Sequence, residues 1–294
     1  MTTASDSTGA GPRWTIGDVT ITSIIEVEQH WKWEWLLPEV TPEIHEPIEW
    51  LRPDFVTDNG KFIIRIQALV VESQGKRIIV DTCVGNNKDR PTPLFDKLDT
   101  PFLAELEGAG FGRDSIDQVV CTHLHVDHVG WNTMMVDGQW VPTFPNARYL
   151  FGRTEYEYWK AEDDTERFGD VMADSISPII DAELYDLVHS DHRLTDEVYL
   201  EPTPGHTPGH VSVRISSGGQ QAVITGDMVH HPVQFAHPRL ASSADVDPVA
   251  SSDTREHAFS QWENDGALVI GTHFAGRGAG TLTAEHGAWR YVVG

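Results

Sequence analysis

Four side chains of the metal-binding kind crowd into six residues, His123, His125, Asp127 and His128, in the run Thr122-His123-Leu124-His125-Val126-Asp127-His128. The run follows directly on the apolar stretch Ser115–Cys121, which reads as a buried strand. In extended backbone, residues i, i+2 and i+4 point to one side. His123, His125 and Asp127 therefore converge, and His128 follows as the chain turns toward a helix at Gly130. Three imidazoles and a carboxylate this close are costly to bury unless something binds them. Neutral imidazole together with carboxylate suits a borderline divalent cation such as zinc. Any fold for this chain has to hold that cluster rigidly at a strand end.

Three further strand-like runs end on residues of the same kind. In Glu201-Pro202-Thr203-Pro204-Gly205-His206-Thr207-Pro208-Gly209-His210, glycine and proline fix a sharp loop that can present His206 rigidly. Ile224-Thr225-Gly226-Asp227 runs out into an aspartate, and Val269-Ile270-Gly271-Thr272-His273 runs out into a histidine. Strand ends are where loops gather on a rigid scaffold and where binding groups concentrate. Each patch is weak alone; their combination is not.

The rest of the chain is consistent with such a scaffold. Trp14–Glu28, with Gly17-Asp18 at its turn, reads as a hairpin. Lys61–Glu72, Lys76–Thr82, Arg148–Phe151, Glu197–Glu201, His210–Ser216, Gln221–Thr225 and Ala267–Gly271 read as strands, and Gly280–Val293 as a closing hairpin. Helices are expected over Pro101–Gly108, Thr154–Glu162 and Asp253–Asn264, and Phe168–Leu187 reads as largely helical. Strands in runs with helices between and after them predict an α/β architecture of two packed mixed sheets flanked by helices. One domain over residues 13–294 is the economical reading, with 1–12 a disordered tail. Residues 29–58 carry four tryptophans and four prolines between His30 and Phe55. They read either as an irregular wrap burying its rings or as an aromatic rim over a pocket.

The order HxHxDH, PGHTPGH, GD and a strand-borne histidine resembles the metallo-β-lactamase superfamily, over roughly residues 60–275. The resemblance implies that family's αββα sandwich, with two divalent metal ions, zinc in the first place. It assigns His123, His125 and His206 to one metal, Asp127, His128 and His273 to the other, and Asp227 to both. Asp81, in Ile79-Val80-Asp81-Thr82, matches a supporting aspartate of the family, and His210 reads as a residue behind the ligands. Five histidines and two aspartates suit two five-coordinate ions sharing a carboxylate and a hydroxide. Two such ions lower the pKa of a shared water, so the expected chemistry is hydrolysis by a metal-bridging hydroxide, with Asp127 orienting it.

Within the superfamily, HxHxDH and PGHTPGH are shared with the N-acyl-homoserine lactonases. Those enzymes usually place a tyrosine three residues after the bridging aspartate, where this chain has His230. The stretch Gly226–Gly278, with GDMVHHPVQF, ADVDP and GALVIGTHF, is similar to methyl parathion hydrolase and its relatives, in which His230 also has a counterpart. His230 is expected either to act as an acid or hydrogen-bond donor beside the metals, or to orient Asp227. Opening of a lactone or carboxylic ester is the leading expectation. An organophosphate triester hydrolase is the alternative, and a metal-binding non-enzyme or an iron oxidoreductase follows behind.

Charge narrows the partners. With 45 Asp and Glu against 21 Lys and Arg, the formal net charge is -24, which disfavours nucleic acid and anionic membrane. A small neutral hydrophobic ester or lactone is expected instead. Trp31, Trp33, Trp35 and Trp131, with Phe102, Phe111, Phe168 and Phe235, could wall such a pocket or simply pack the core. Met1 to Pro12 has no basic start followed by an apolar stretch, so it does not read as a secretory signal. Two cysteines, Cys83 and Cys121, make no disulfide framework and read as buried thiols. A cytoplasmic protein is expected, and a homodimer is compatible with the resemblance.

Overall fold

The computed structural model describes residues 9–162 and 164–294. Its first sheet has seven strands in the order β1 (Gly9–Ile16), β2 (Val19–Trp31), β3 (Phe62–Ser73), β4 (Lys76–Val80), β5 (Gln118–Val120), β8 (Arg148–Gly152) and β9 (Tyr185–Val188). The second has six, β10 (Val198–Pro202), β11 (Val211–Ser217), β12 (Gln220–Ile224), β13 (Leu268–Ile270), β14 (Ala279–Glu285) and β15 (Ala288–Val293). A small hairpin, β6 (Thr133–Val136) and β7 (Gln139–Pro142), stands apart. β1 to β4 pair antiparallel and β4, β5, β8 and β9 parallel. In the second sheet only β12 and β13 are parallel.

Strand alternation explains the layers. Ile78, Val80, Val120 and Leu150 of one sheet join Val213, Ile224 and Ile270 of the other in a fully apolar core. Their neighbours Ile79, Val119 and Tyr149 point the opposite way, into a cluster with the helix residues Phe102 and Leu106. Val223 and Val269 join Phe259 and Trp262 of the helix Pro248–Asn264 in the same manner. Strands covered on both faces read as unbroken apolar runs, which is why these segments were legible. The expected α/β sandwich of two packed mixed sheets flanked by helices is the observed fold.

Four expectations change. β1 already begins at Gly9, pairing with Ile25, so it enters the stretch read as a tail; residues 1–8 lie outside the described residues. The last long helix starts at Pro248, not Asp253, because the Asp247 carboxylate accepts from Val249 N and Ala250 N and Pro248 pre-sets the first turn. Phe168–Leu187 is helical over 171–181, through a π-helical turn at Met172–Ile176 and on into Ser177–Asp181, but Gly169 at φ 79° interrupts its start and the chain extends as β9 at its end. β6 and β7 went unread although Asp137-Gly138 is a hairpin turn; their strands are too short to show periodicity. Both cysteines are buried free thiols. No helix among the described residues is long and apolar enough to cross a membrane.

Candidate metal centre

The expected ligands leave the sandwich along one edge. β5 runs out into His123–His128, the β10–β11 connection carries His206, β12 runs out into Asp227 and β13 into His273. β12 and β13 are parallel, so both point their carboxyl ends at the same place, the usual address of ligand sites in such sheets. Backbone bonds fasten the edge: Val211 N donates to Thr122 O, Thr225 N to Ile270 O, and Arg65 N to His273 O.

Two groups of donors result. Nε2 of His123, Nδ1 of His125 and Nε2 of His206 stand 2.9 to 3.2 Å apart. On the other side, His128 Nε2 and His273 Nε2 lie 3.7 Å from the Asp127 carboxylate oxygens. Asp227 faces both. Its Oδ2 is 3.8 Å from His123 Nε2 and 3.5 Å from His206 Nε2, while its Oδ1 is 3.1 Å from His128 Nε2 and 2.9 Å from His273 Nε2. All seven expected ligands therefore meet, and they form one four-residue and one three-residue group with atoms close enough to share a cation.

The donor set fits divalent ions. Nitrogens around one tetrahedral zinc, each about 2.0–2.1 Å from it, stand roughly 3.3–3.4 Å apart, close to the spacing of the first group. His128 Nε2 and Asp227 Oδ1 are buried with no hydrogen-bond partner, although such atoms rarely go unpaired in a folded protein. Burial pushes His123 and His125 well down, to the neutral form a cation needs. Burial would lower His128 too, but the Asp227, Asp81 and Asp127 carboxylates override it and hold it well above its ordinary value. Reciprocally, burial works against ionised Asp227, yet His128, His273 and His230 hold its carboxyl well below the usual range. The second group is thus rich in negative charge wherever no cation or proton is present.

Three of the expected ligands, His128, His206 and His273, are held from behind. Asp81, at a left-handed φ of 58°, accepts from Thr122 N at 2.8 Å and Thr122 Oγ1 at 2.9 Å and meets His128 Nδ1 at 2.8 Å. His273 Nδ1 bonds Arg65 O at 2.9 Å. His206 Nδ1 bonds Asp245 Oδ1 at 2.9 Å. Such partners fix tautomer and ring orientation. His210 spends both nitrogens on the protein, with Thr203 Oγ1 at 2.9 Å and the Asp227 backbone N–H at 2.9 Å; burial pushes it down to about 3. Gly226 makes that contact possible, since a Cβ there would sit 2.6 Å from His210 Nε2.

His230 is buried, with Nε2 3.3 Å from Asp227 Oδ2. Its backbone N–H is tied to Gln234 Oε1 at 2.8 Å, whereas neither ring nitrogen has a hydrogen-bond partner. Burial lowers its pKa.

Above the donors lies a cavity of about 210 Å³ walled by Trp31, Trp35, Phe95, Phe168, Asp127 and His230, among others. The aromatic expectation is met in part. The i, i+2 alternation of tryptophans ends when the chain leaves β2 for the short helix Trp33–Leu36. Trp33 consequently packs on His45 at 5.0 Å, away from the cavity. Trp131 stacks on Phe102 at 5.5 Å and Phe235 on Tyr291 at 5.0 Å, both as core, and Phe111 lies under Arg77. Phe95 was missed, as were Asp245 and Glu155. Asp245 lies in the ADVDP run, where Asp247-Pro248 is a helix-start signal that could have drawn attention to it.

A family model, the Metallo-beta-lactamase superfamily, matches residues 65–273. The chain belongs to the metallo-β-lactamase superfamily. It is 31% identical over 129 residues to the N-acyl homoserine lactonase AttM of Rhizobium radiobacter, covering 42% of this chain and 44% of that one. It is 30% identical over 148 residues to an N-acyl homoserine lactonase of Bacillus thuringiensis, covering 47% and 52%. The matches thus span about half the length of these relatives. Among solved structures, AidC, a dizinc quorum-quenching lactonase in complex with an N-acyl-L-homoserine product, superposes with a TM-score of 0.78 at 21% identity over 98% of both chains. The hydrolase AbOPH does so with 0.79 at 24% over 98% of both. These superfamily relatives and neighbours are lactonases and hydrolases.

Proposed function

We propose that this chain is a metal-dependent hydrolase that opens a small, neutral, apolar lactone or carboxylic ester, working as one domain over residues 13–294. The observation that carries the reading is Asp227, one carboxylate with an oxygen toward each of two donor groups. His123, His125 and His206 would hold one divalent cation, Asp127, His128 and His273 a second, with Asp227 common to both and zinc the first candidate. Bound divalent cations supply water of lowered pKa and polarise a carbonyl oxygen.

The protein's own groups do the rest. Asp127, largely buried at the cavity floor with its side chain 14% exposed, can accept a proton from an attacking water and orient it. His230, buried with Nε2 3.3 Å from Asp227 Oδ2, can donate a hydrogen bond from a ring nitrogen to the departing alkoxide oxygen. The rings of Trp31, Phe95 and Phe168 exclude water and favour an apolar substituent. A larger cavity of about 320 Å³ shares His125, Val126 and Phe168 with this one and offers room for a longer substituent. N-acyl-homoserine lactones are the first substrates to try, because the lactonase relatives act on them by name; the same relatives leave the phosphotriester alternative without favour.

The test compares kcat/KM for an acyl-homoserine lactone and an aryl phosphotriester on zinc-reconstituted protein, with bound metal counted per chain. A lactone preference of about a hundredfold or more, about 2.7 kcal/mol of differential transition-state binding, and two ions per chain are expected. A phosphotriester preference, or hydrolysis of neither by fully loaded protein, would overturn the reading.

A further inference from the structure

Glu155 is a buried acid for which no cationic partner stands within reach. It lies in the first turn of the helix Arg153–Ala161 and is 1% exposed, and no ion pair among the described residues includes it. A buried carboxylate is costly unless its oxygens are satisfied. Here Oε1 accepts from Leu124 N at 3.0 Å and from Trp159 Nε1 at 2.6 Å, and Oε2 accepts from Gly209 N at 3.0 Å. Leu124 stands between His123 and His125. Gly209 stands in the loop between His206 and His210, and packs so tightly on the helix that a Cβ there would lie 2.2 Å from Glu155 N.

One carboxylate therefore grips the two loops that supply the three imidazoles of the first donor group, loops separated by 83 positions between His123 and His206. The loops belong to different sheets. A backbone bond, Val211 N to Thr122 O, also joins them, outside the span from His123 to His206, and within that span the imidazole nitrogens themselves meet at 2.9 to 3.2 Å. Trp159, the third donor to Glu155, also packs on the His125 ring at 5.1 Å.

We propose that Glu155 is a positioning residue that sets the spacing of the His123, His125 and His206 nitrogens before any cation arrives. The inference rests on the metal-centre reading above. Its basis is preorganisation: donors already fixed in place lose less freedom on binding. It predicts that Glu155 governs zinc affinity at this group while touching neither the ion nor the substrate.

The experiment titrates zinc alone into the metal-stripped full chain against a chromophoric chelator, for the parent, Glu155→Gln and Glu155→Ala, and records melting with and without zinc. Glutamine keeps the shape but can accept with only one oxygen, so it can satisfy one loop at a time. Expected is a loss of zinc affinity of about tenfold for Glu155→Gln and up to about a hundredfold for Glu155→Ala, with a smaller zinc-induced rise in Tm. If Glu155→Gln binds zinc within about threefold of the parent and only its metal-free Tm falls, Glu155 is merely structural and the inference is overturned. If Glu155→Ala fails to fold, Glu155→Gln decides alone. A parent chain that binds no zinc overturns the metal-centre reading itself, and this inference with it, a result distinct from loss in the variants only.

Discussion

The floor and the roof of the cavity are built on opposite plans. On the floor, His128, His206 and His273 each spend their second nitrogen on a fixed partner, Asp81, Asp245 and the Arg65 carbonyl, at 2.8 to 2.9 Å. These residues leave strand ends held by backbone bonds between and within the sheets. The roof is made of rings. Trp31 meets Trp35 edge-on at 4.6 Å and Phe95 at 6.1 Å, and Trp35 remains 47% exposed. Its pieces come from the end of β2, the irregular stretch around Phe95 and the short helix Thr165–Phe168. The contrast separates two functions physically. On the proposed function, the floor holds its donors by fixed partners, as metal chemistry requires; the roof offers apolar area, as a substrate substituent requires. Floor substitutions should register in metal affinity, and roof substitutions in KM.

The largest effect is expected at Asp227. Asp227→Asn keeps the shape and removes the charge that both donor groups share. Loss of one partner from a buried charged network costs about 3–5 kcal/mol, on the order of a thousandfold in cation affinity. Metal counting by mass spectrometry alongside kcat/KM checks this. An Asn variant that keeps two ions per chain and its turnover would dissolve the idea of a common carboxylate.

Next come the backing acids, and they divide the floor. Asp245→Asn should weaken the His123–His125–His206 group and Asp81→Asn the Asp127–His128–His273 group, each by about 10–100-fold in metal affinity. Stepwise zinc titration should show a different one of two binding steps moving in each variant. Equal weakening of both steps by either variant would mean that the two groups act as one unit.

The same division decides what could be read from the sequence. The floor was legible because its chemistry is local: HxHxDH follows one apolar strand, and Asp227 and His273 each end another. Its backing was only partly so. Asp81 has a strand-end position, but Asp245 meets His206 across 39 residues, and Glu155 reaches Leu124 across 31 and Gly209 across 54. No periodicity reports such contacts. The roof was least legible. Trp31 and Trp33 are alike in sequence, yet one walls the cavity and the other packs on His45, because the strand ends between them. Phe168–Leu187 is interrupted at Gly169, whose φ of 79° ends the helix Thr165–Phe168, and again where β9 begins at Tyr185; the π-turn at Met172–Ile176 keeps the stretch between them helical.

On the roof, Trp31→Ala should raise KM for substrates with a long apolar substituent by about 10–100-fold, from the roughly 1.5–3 kcal/mol that burial of a large apolar side chain contributes. An unsubstituted lactone should be affected far less, and zinc content not at all. Steady-state kinetics over a series of chain lengths gives the answer. Loss of zinc in this variant would join roof to floor and break the comparison.

The smallest effect on turnover is expected where roof and floor share a support. Glu26 sits at a bulge between Ile25 and Val27 of β2, the strand that ends at Trp31. Its buried carboxyl accepts from Val84 N at 2.7 Å, Gly85 N at 3.2 Å and Thr100 Oγ1 at 3.2 Å, and from Trp131 Nε1 at 2.6 Å. It thus joins the strand below the roof to the turns that follow Asp81 and His128. Burial raises its pKa from 4.5 to about 7, and the four donors hold back a larger rise. Because the folded value lies above the unfolded one, the native state holds a proton that the unfolded chain has lost between those two pH values. The associated stability is complete below pH 4.5 and is lost as pH rises through about 7, an effect on the order of 1–3 kcal/mol. Urea unfolding of the metal-free parent and of Glu26→Gln from pH 5 to 8.5 isolates it. The parent should lose stability relative to the variant over that range, while zinc affinity and KM in the variant stay near the parent's. A flat difference would place the ionised form there throughout, with the four donors outweighing burial. A shift in both zinc affinity and KM would instead make Glu26 the hinge through which floor and roof are coupled.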